Sequence, residues 1–174
     1  QPFGEMLHTV LGERGGAPLH FLLVHLVSQV SPTLMGVRLI SPVFAVASIP
    51  VIALLARRLV GRSAALIATL IVAASWVTLF HGVYGRMYSL FLFVSALSFL
   101  ALLRALERRT AGAWSLWALA MLATLACHQY GAFLLTAQVA FALLVYRREP
   151  FPLPAPIVAL VAVVGLALPV WRSN

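Results

Sequence analysis

The sequence predicts an all-α membrane protein, a polytopic helix bundle with about six spanning helices, preceded by two helices that lie on the outer membrane surface. Of the 174 residues, 63% are hydrophobic and only 9% are charged, which is far from the composition of a soluble domain. The chain has no lysine, and most of its arginines fall in three short clusters separated by long apolar segments. The clusters are Arg57-Arg58-Arg62, Arg104-Arg108-Arg109 and Arg147-Arg148.

Two polar and aromatic segments alternate with the clusters: the His81 segment, His81–Tyr88, and the His128 segment, His128–Tyr130. The apolar runs between them have about 16 to 20 residues. A helix that rises ~1.5 Å per residue needs about this length to cross ~30 Å of hydrocarbon. Because arginine is enriched in cytoplasmic loops, the clusters predict the inner face and the two segments predict the outer face.

Six crossings then alternate without conflict. They are predicted at residues 37–57, 63–82, 87–104, 112–128, 131–147 and 155–171. Residues 37–174 therefore form the predicted bundle, and residues 1–36 form a predicted outer region. In that region, residues 2–14 carry apolar side chains at helical spacing, which predicts a helix on the membrane surface. Residues 19–30 are too short and too polar to cross, so a second juxtamembrane helix is predicted there.

The same pattern excludes other classes of protein. Arginines at the inner ends of apolar helices determine topology and contact anionic lipids, so the expected partner is the bilayer and not nucleic acid. The single cysteine, Cys127, excludes an internal disulfide framework. We expect the chain to be part of a longer protein, because it starts at Gln1 and stops directly after an apolar run.

Arg86 is the most informative residue of the His81 segment, because arginine is disfavoured at the outer face. One interpretation is a phosphate site, since a guanidinium binds phosphate through two parallel charge-assisted hydrogen bonds, with Tyr84 and Tyr88 beside it at headgroup depth. The other is an interfacial arginine that extends its head to water among belt tyrosines. The sequence supports both.

Three histidines are predicted at the same outer depth: His20, His81 and His128, the last beside Gln129 and Tyr130. Histidine titrates near neutrality, so each could contact an anion or a metal, or be a satisfied interfacial side chain. Their scattered spacing lacks the close pattern of a zinc site. No metal ligands are assigned, and a divalent cation is left open as a cofactor.

Acidic residues are scarce. Glu107 and Glu149 lie beside arginines in predicted inner loops, where they are most simply solvated charge partners. Only Glu5 and Glu13 are predicted outside. Glu13 is the better placed to reach a site over the helix ends, although a plain interfacial charge fits it as well, and neither residue makes a convincing general base.

An ordered set of short motifs carries a family resemblance. The motifs are Gly16-Ala17-Pro18-Leu19-His20, Arg38-Leu39-Ile40-Ser41, Ala56-Arg57-Arg58-Leu59-Val60-Gly61-Arg62, Gly85-Arg86-Met87-Tyr88 and His128-Gln129-Tyr130. This order resembles the amino-terminal half of GT-C glycosyltransferases of the protein O-mannosyltransferase and aminoarabinose-transferase type. Two positions depart from the family: Tyr84 replaces an acidic residue that in relatives can help to hold a divalent cation, and His20 replaces an aromatic residue.

The resemblance implies a multi-pass plasma-membrane enzyme that acts on the extracytoplasmic side. It would move a sugar, with inversion, from a polyprenyl-phosphate donor to a protein, lipid or glycan acceptor. The family's catalytic aspartate would lie upstream of this chain. The residues expected to bind the donor phosphate are Arg86, His128, Tyr84, Tyr88 and Gln129, and the further outer-face site residues are His20, His81 and Tyr130.

A non-catalytic or transport protein is the alternative class. Such proteins usually carry ionisable residues at mid-membrane along a path. The predicted spans contain serine, threonine and Gln138, but no Asp, Glu or Lys at their centres. This favours an enzyme, while an inactive scaffold with the same fold is also compatible with the sequence.

Overall fold

The structure, a computed structural model, describes Gly4 and residues 18–172, and these are organised as α-helices joined by short turns. The helices from residue 18 onward are α1 Pro18–Val30, α2 Leu34–Arg38, α3 Ile40–Val60, α4 Arg62–Ala74, α5 Trp76–Val83, α6 Tyr88–Arg108, α7 Ala111–Cys127, α8 Gly131–Arg148 and α9 Pro154–Arg172. The prediction of an all-α fold is confirmed. The helix predicted at residues 2–14, with Glu5 and Glu13, lies outside the described residues apart from Gly4.

The described helices include two or three candidate membrane spans. One candidate, Leu34–Val60, comprises α2 and α3 together, and the other is α6, Tyr88–Arg108. Each is long and apolar enough to cross. The pair α4 and α5 qualifies only if its two parts, bent by 47°, count as one span. Helices α1 and α7 and the stretch Pro154–Leu168 of α9 are apolar but shorter. The chain is thus an integral membrane protein, and the six predicted crossings go beyond what these helix lengths show.

The segment predicted to cross at 63–82 is helical but is interrupted at Ser75, which the sequence pattern did not predict. Ser75 has extended backbone angles, with φ −69° and ψ 139°. Its Oγ accepts a hydrogen bond from the Thr78 N–H at 3.2 Å and so caps α5. A serine hydroxyl that bonds to nearby backbone competes with the helical pattern, which explains the break.

Arginines and glutamates gather at one end of the bundle, which we call the arginine end. Arg58 pairs with Glu107 at 3.2 Å, and Arg109 pairs with Glu149 at 3.2 Å. These pairs join the carboxyl-terminal ends of α3, α6 and α8, so these three helices run parallel to one another. Because the side chains are well exposed, each pair is worth only about 0–1 kcal/mol. The opposite end, with the His81 and His128 segments, is called the histidine end.

The three helices α6, α7 and α8 are joined between their ends by a buried hydrogen-bond network. Trp117 Nε1 donates to Gln138 Oε1 at 2.7 Å, and Gln138 Nε2 donates to Ser98 Oγ at 2.7 Å. Ser98 Oγ in turn donates to the Ser95 carbonyl at 2.8 Å. Gln138 is fully buried. The polar group at mid-helix is therefore satisfied within the bundle.

Replacing Gln138 by leucine should destabilise the bundle, because the Trp117 N–H and the Ser98 hydroxyl would lose their partner in a dry interior. We expect a loss of about 1–2 kcal/mol in the free energy of unfolding. Unfolding in mixed detergent micelles measures it. Gln129→Leu, the same change at an exposed turn position, is the control, and an equal loss in both variants would contradict the role of the network.

Candidate functional site

Four predicted site residues come together at the histidine end. The ring centroids of His81 and Tyr88 are 4.5 Å apart, those of Tyr88 and His128 are 5.9 Å apart, and those of His128 and Tyr130 are 4.5 Å apart. These rings come from α5, from the first residue of α6 and from the turn between α7 and α8. They form one continuous row, which we call the ring row.

The turn between α5 and α6 is held by side-chain donors from three helices. The donor and acceptor pairs are Ser41 Oγ to the Arg86 carbonyl at 3.0 Å, Ser89 Oγ to the His81 carbonyl at 2.9 Å, and Cys127 Sγ to the Met87 carbonyl at 3.6 Å. The turn also needs the left-handed conformation of Gly85, with φ +70°. The backbone that carries Arg86 is therefore fixed from several sides.

Arg86 extends from this turn as an exposed side chain. Its guanidinium carbon lies 5.3 Å from the centroid of the Tyr84 ring, and Tyr84 in turn stacks on Phe80 with centroids 5.0 Å apart. A cation over an aromatic face is attracted by the ring quadrupole. The Tyr84 ring therefore restricts the positions that the guanidinium can take. An interfacial arginine that only extends its head to water would not need such a contact.

Arg38 is a second cation at this place, and the sequence reasoning did not select it. It is the last residue of α2. A Cβ built on Gly85 would lie 3.5 Å from Arg38 Cγ, so the Arg38 side chain passes directly beside the turn that precedes Arg86. The sequence feature that could have identified Arg38 was its position at the outer end of a predicted span. Among the described residues, neither arginine forms an ion pair with a carboxylate.

His128 is present as a neutral donor. Its Nδ1 accepts a hydrogen bond from the Tyr130 backbone N–H at 3.1 Å, which places the proton of the neutral ring on Nε2. Burial lowers the pKa of His128 below its usual value, because the desolvated ring disfavours the charged form. At neutral pH His128 therefore offers an Nε2–H group and no positive charge.

His20 lies at the same end but outside the ring row. It is 7% exposed, its ring contacts its neighbour Phe21 edge-on, and its Nδ1 has no hydrogen-bond partner in the part of the chain that the structure describes. Burial lowers its pKa. Leu19 and Leu23 of the same helix pack against Cys127 and its neighbours, which places α1 beside the site.

Gln129 is exposed in the turn beside His128, and Glu13 lies outside the described residues. No group of three His, Cys, Asp or Glu side chains that could hold a metal ion occurs within the described part of the chain.

A cavity of about 340 Å³ lies between α3, α5, α6 and α8. His81 and Tyr88, which belong to the ring row, also line this cavity. From Tyr88 it follows α6 to Ser95, a distance of about 10 Å at the helical rise. Its lining is mostly apolar and holds no charged side chain. The cavity therefore suits hydrocarbon and not a phosphate.

Residues 15–172 match the family model described as dolichyl-phosphate-mannose-protein mannosyltransferase, which confirms the resemblance drawn from the motifs. Comparisons with curated proteins and with solved structures gave no match. The family match spans nearly the whole chain and carries the general activity, that of a membrane glycosyltransferase dependent on a polyprenyl-phosphate sugar. The chain therefore belongs to the dolichyl-phosphate-mannose-protein mannosyltransferase family.

Proposed function

We propose that this chain contributes the donor-phosphate site of a glycosyltransferase that moves a sugar from a polyprenyl-phosphate donor to a protein acceptor on the outer side of the plasma membrane. One observation carries the proposal. Arg86 extends from the α5–α6 turn, and the Arg38 side chain passes beside the same turn, at the end of the bundle opposite the Arg–Glu pairs; neither has a carboxylate partner in the described residues. Positive charge at that end is not explained by the inside preference of arginine, and an anionic ligand explains it.

The reaction moves charge onto the phosphate. The acceptor hydroxyl loses its proton to a general base, and its oxygen attacks the anomeric carbon from the face opposite the phosphate. The bond between that carbon and the phosphate oxygen breaks, and its electron pair leaves with the oxygen. The donor, a phosphodiester with one negative charge, becomes a phosphomonoester, which carries about −1.5 to −2 at neutral pH.

Two guanidinium groups fit this change of charge. One positive charge balances the donor, and the second acts on the negative charge that develops as the bond breaks, which lowers the barrier without tightening donor binding. His128 adds an Nε2–H donor, and Tyr84 holds the Arg86 guanidinium in place. The base is expected upstream of this chain.

The cavity beside the ring row suits the donor's lipid chain. Its walls include Val77, Phe91, Leu92 and Leu134, and Val77 is well exposed at its margin, so a chain can enter from the lipid side. The phosphate would then lie at headgroup depth with the first isoprenyl units beneath it.

We also propose that the bundle crosses the membrane six times, with the arginine end on the inner side. With α4 and α5 counted as one unit, the helices from Ile40 onward begin and end within about four residues of the predicted limits, for example Tyr88–Arg108 against 87–104. With the arginine end inside, Ser63 lies in the cytoplasm and Val83 lies outside.

Arg86→Lys keeps the positive charge but loses the planar fork that binds phosphate bidentately. We expect kcat and kcat/KM for the donor to fall together by about ten- to a thousandfold, because the lost interaction forms mainly as charge develops. Steady-state kinetics of the full-length enzyme with polyprenyl-phosphate mannose measures this. Arg108→Lys, the same change at the arginine end, should leave the rates unaltered, and wild-type rates in Arg86→Lys would refute the phosphate role.

Ser63→Cys and Val83→Cys test the orientation at the two ends of the α4–α5 pair, both at exposed positions. We expect a membrane-impermeant maleimide to label Val83→Cys in intact cells and Ser63→Cys only after permeabilisation. The parent chain is the control, because its Cys127 is fully buried. Labelling of both positions from outside would show that the bent pair re-enters without crossing, and the opposite pattern would invert the topology.

Leu92→Trp should fill the cavity with a larger side chain. We expect KM for a long-chain donor to rise by about tenfold, a cost of ~1.4 kcal/mol that is typical of an overpacked site. A donor analogue with a single isoprenyl unit should be affected much less. Leu97→Trp, on the same helix outside the cavity, is the control, and an equal rise for both donors would exclude the cavity as the place of the lipid chain.

A further inference from the structure

We infer that Ser41 is a positioning residue for the phosphate site, and that its hydroxyl sets the distance between Arg38 and Arg86. This inference rests on the proposed function, because it concerns how the two cations reach one phosphate. Ser41 lies in the first turn of α3, three residues after Arg38, and it is 1% exposed. Its Oγ donates to the Arg86 carbonyl at 3.0 Å.

The bond joins two parts of the chain that are 45 residues apart. On one side it fixes the backbone of Arg86 itself, so the start of that side chain cannot shift along the turn. On the other side it fixes the first turn of α3 and, through it, the neighbouring end of α2. Arg38 at that end then lies against Gly85.

A second close contact shows that the register between α3 and the α5–α6 turn is strict. A Cβ built on Gly82 would lie 3.3 Å from the Ala45 Cβ, one turn further along α3. This contact keeps the helices close but has no direction of its own. The Ser41 bond is directional, because a hydroxyl donor and a carbonyl acceptor must be aligned. The Ser41 hydrogen bond therefore fixes the register between α3 and the α5–α6 turn, whereas the close approach of Gly82 and Ala45 is only compatible with that register.

Another buried serine of α3 gives a matched control. Ser48 is fully buried, about two turns beyond Ser41, and its Oγ donates at 2.7 Å to the Ala45 carbonyl of its own helix. Ser41→Ala and Ser48→Ala remove the same hydroxyl from the same helix. Only the first change removes a bond to the Arg86 turn.

The experiment measures donor kinetics of the full-length enzyme for Ser41→Ala alone, for Arg86→Lys alone and for the two together. We expect Ser41→Ala to lower kcat and kcat/KM together by about tenfold, since a mispositioned cation loses an interaction made in the transition state. In the Arg86→Lys background the same change should cost less than about threefold, because the fork it positions is already gone. Ser48→Ala should keep wild-type rates.

Ser41→Cys guards against a variant that fails to fold. A thiol already donates to a carbonyl of this turn from Cys127, so a thiol at position 41 should keep part of the bond and lose only about threefold. Three outcomes would overturn the inference while the phosphate role of Arg86 stands. Ser41→Ala could cause the same loss in both backgrounds, or it could keep wild-type rates. Ser41→Cys could lose as much activity as Ser41→Ala. Wild-type rates for Arg86→Lys would instead remove the proposed function and the inference together.

Discussion

The arrangement of the histidine end depends on one constraint: a backbone carbonyl freed where a helix ends near a bilayer needs a hydrogen-bond donor, and hydrocarbon supplies none. Here the donors are side chains of neighbouring helices, Ser41 from α3 and Cys127 from α7, together with Ser89 of α6. Each bond satisfies a carbonyl and also connects two elements. The turn that carries Arg86 is therefore a junction of the bundle and not a free loop.

The sequence predicted the helices well because arginine position and apolar length are both set by the bilayer, which acts on each helix separately. It did not predict the break at Ser75, because a serine hydroxyl can bond to local backbone or face outward, and tertiary context decides which. It also did not predict that Arg38 lies beside Gly85. That contact depends on how α2 and α3 meet the α5–α6 turn, which no short motif encodes.

Arginine has different roles at the two ends of the bundle. At the arginine end, Arg58 and Arg109 pair with glutamates in exposed positions, where water and salt screen them, so the pairs contribute little to stability. At the histidine end, Arg86 is held by an aromatic face and by a fixed backbone, and a partner carboxylate is lacking among the described residues. Because the Arg86 guanidinium is exposed and already oriented, an anion could bind it with little rearrangement.

The state of His128 clarifies how the site could distinguish donor from product. Because burial lowers its pKa, and because its Nδ1 already accepts a hydrogen bond from the Tyr130 N–H, the ring adds a hydrogen bond without adding charge at neutral pH. The permanent positive charges in the described part of the site are those of Arg38 and Arg86. Two positive charges exceed the single charge of a phosphodiester and match that of the departing monoester. Under the proposed function, such a site would gain most of its interaction energy as the bond breaks, which is the condition for catalysis and not merely for tight binding.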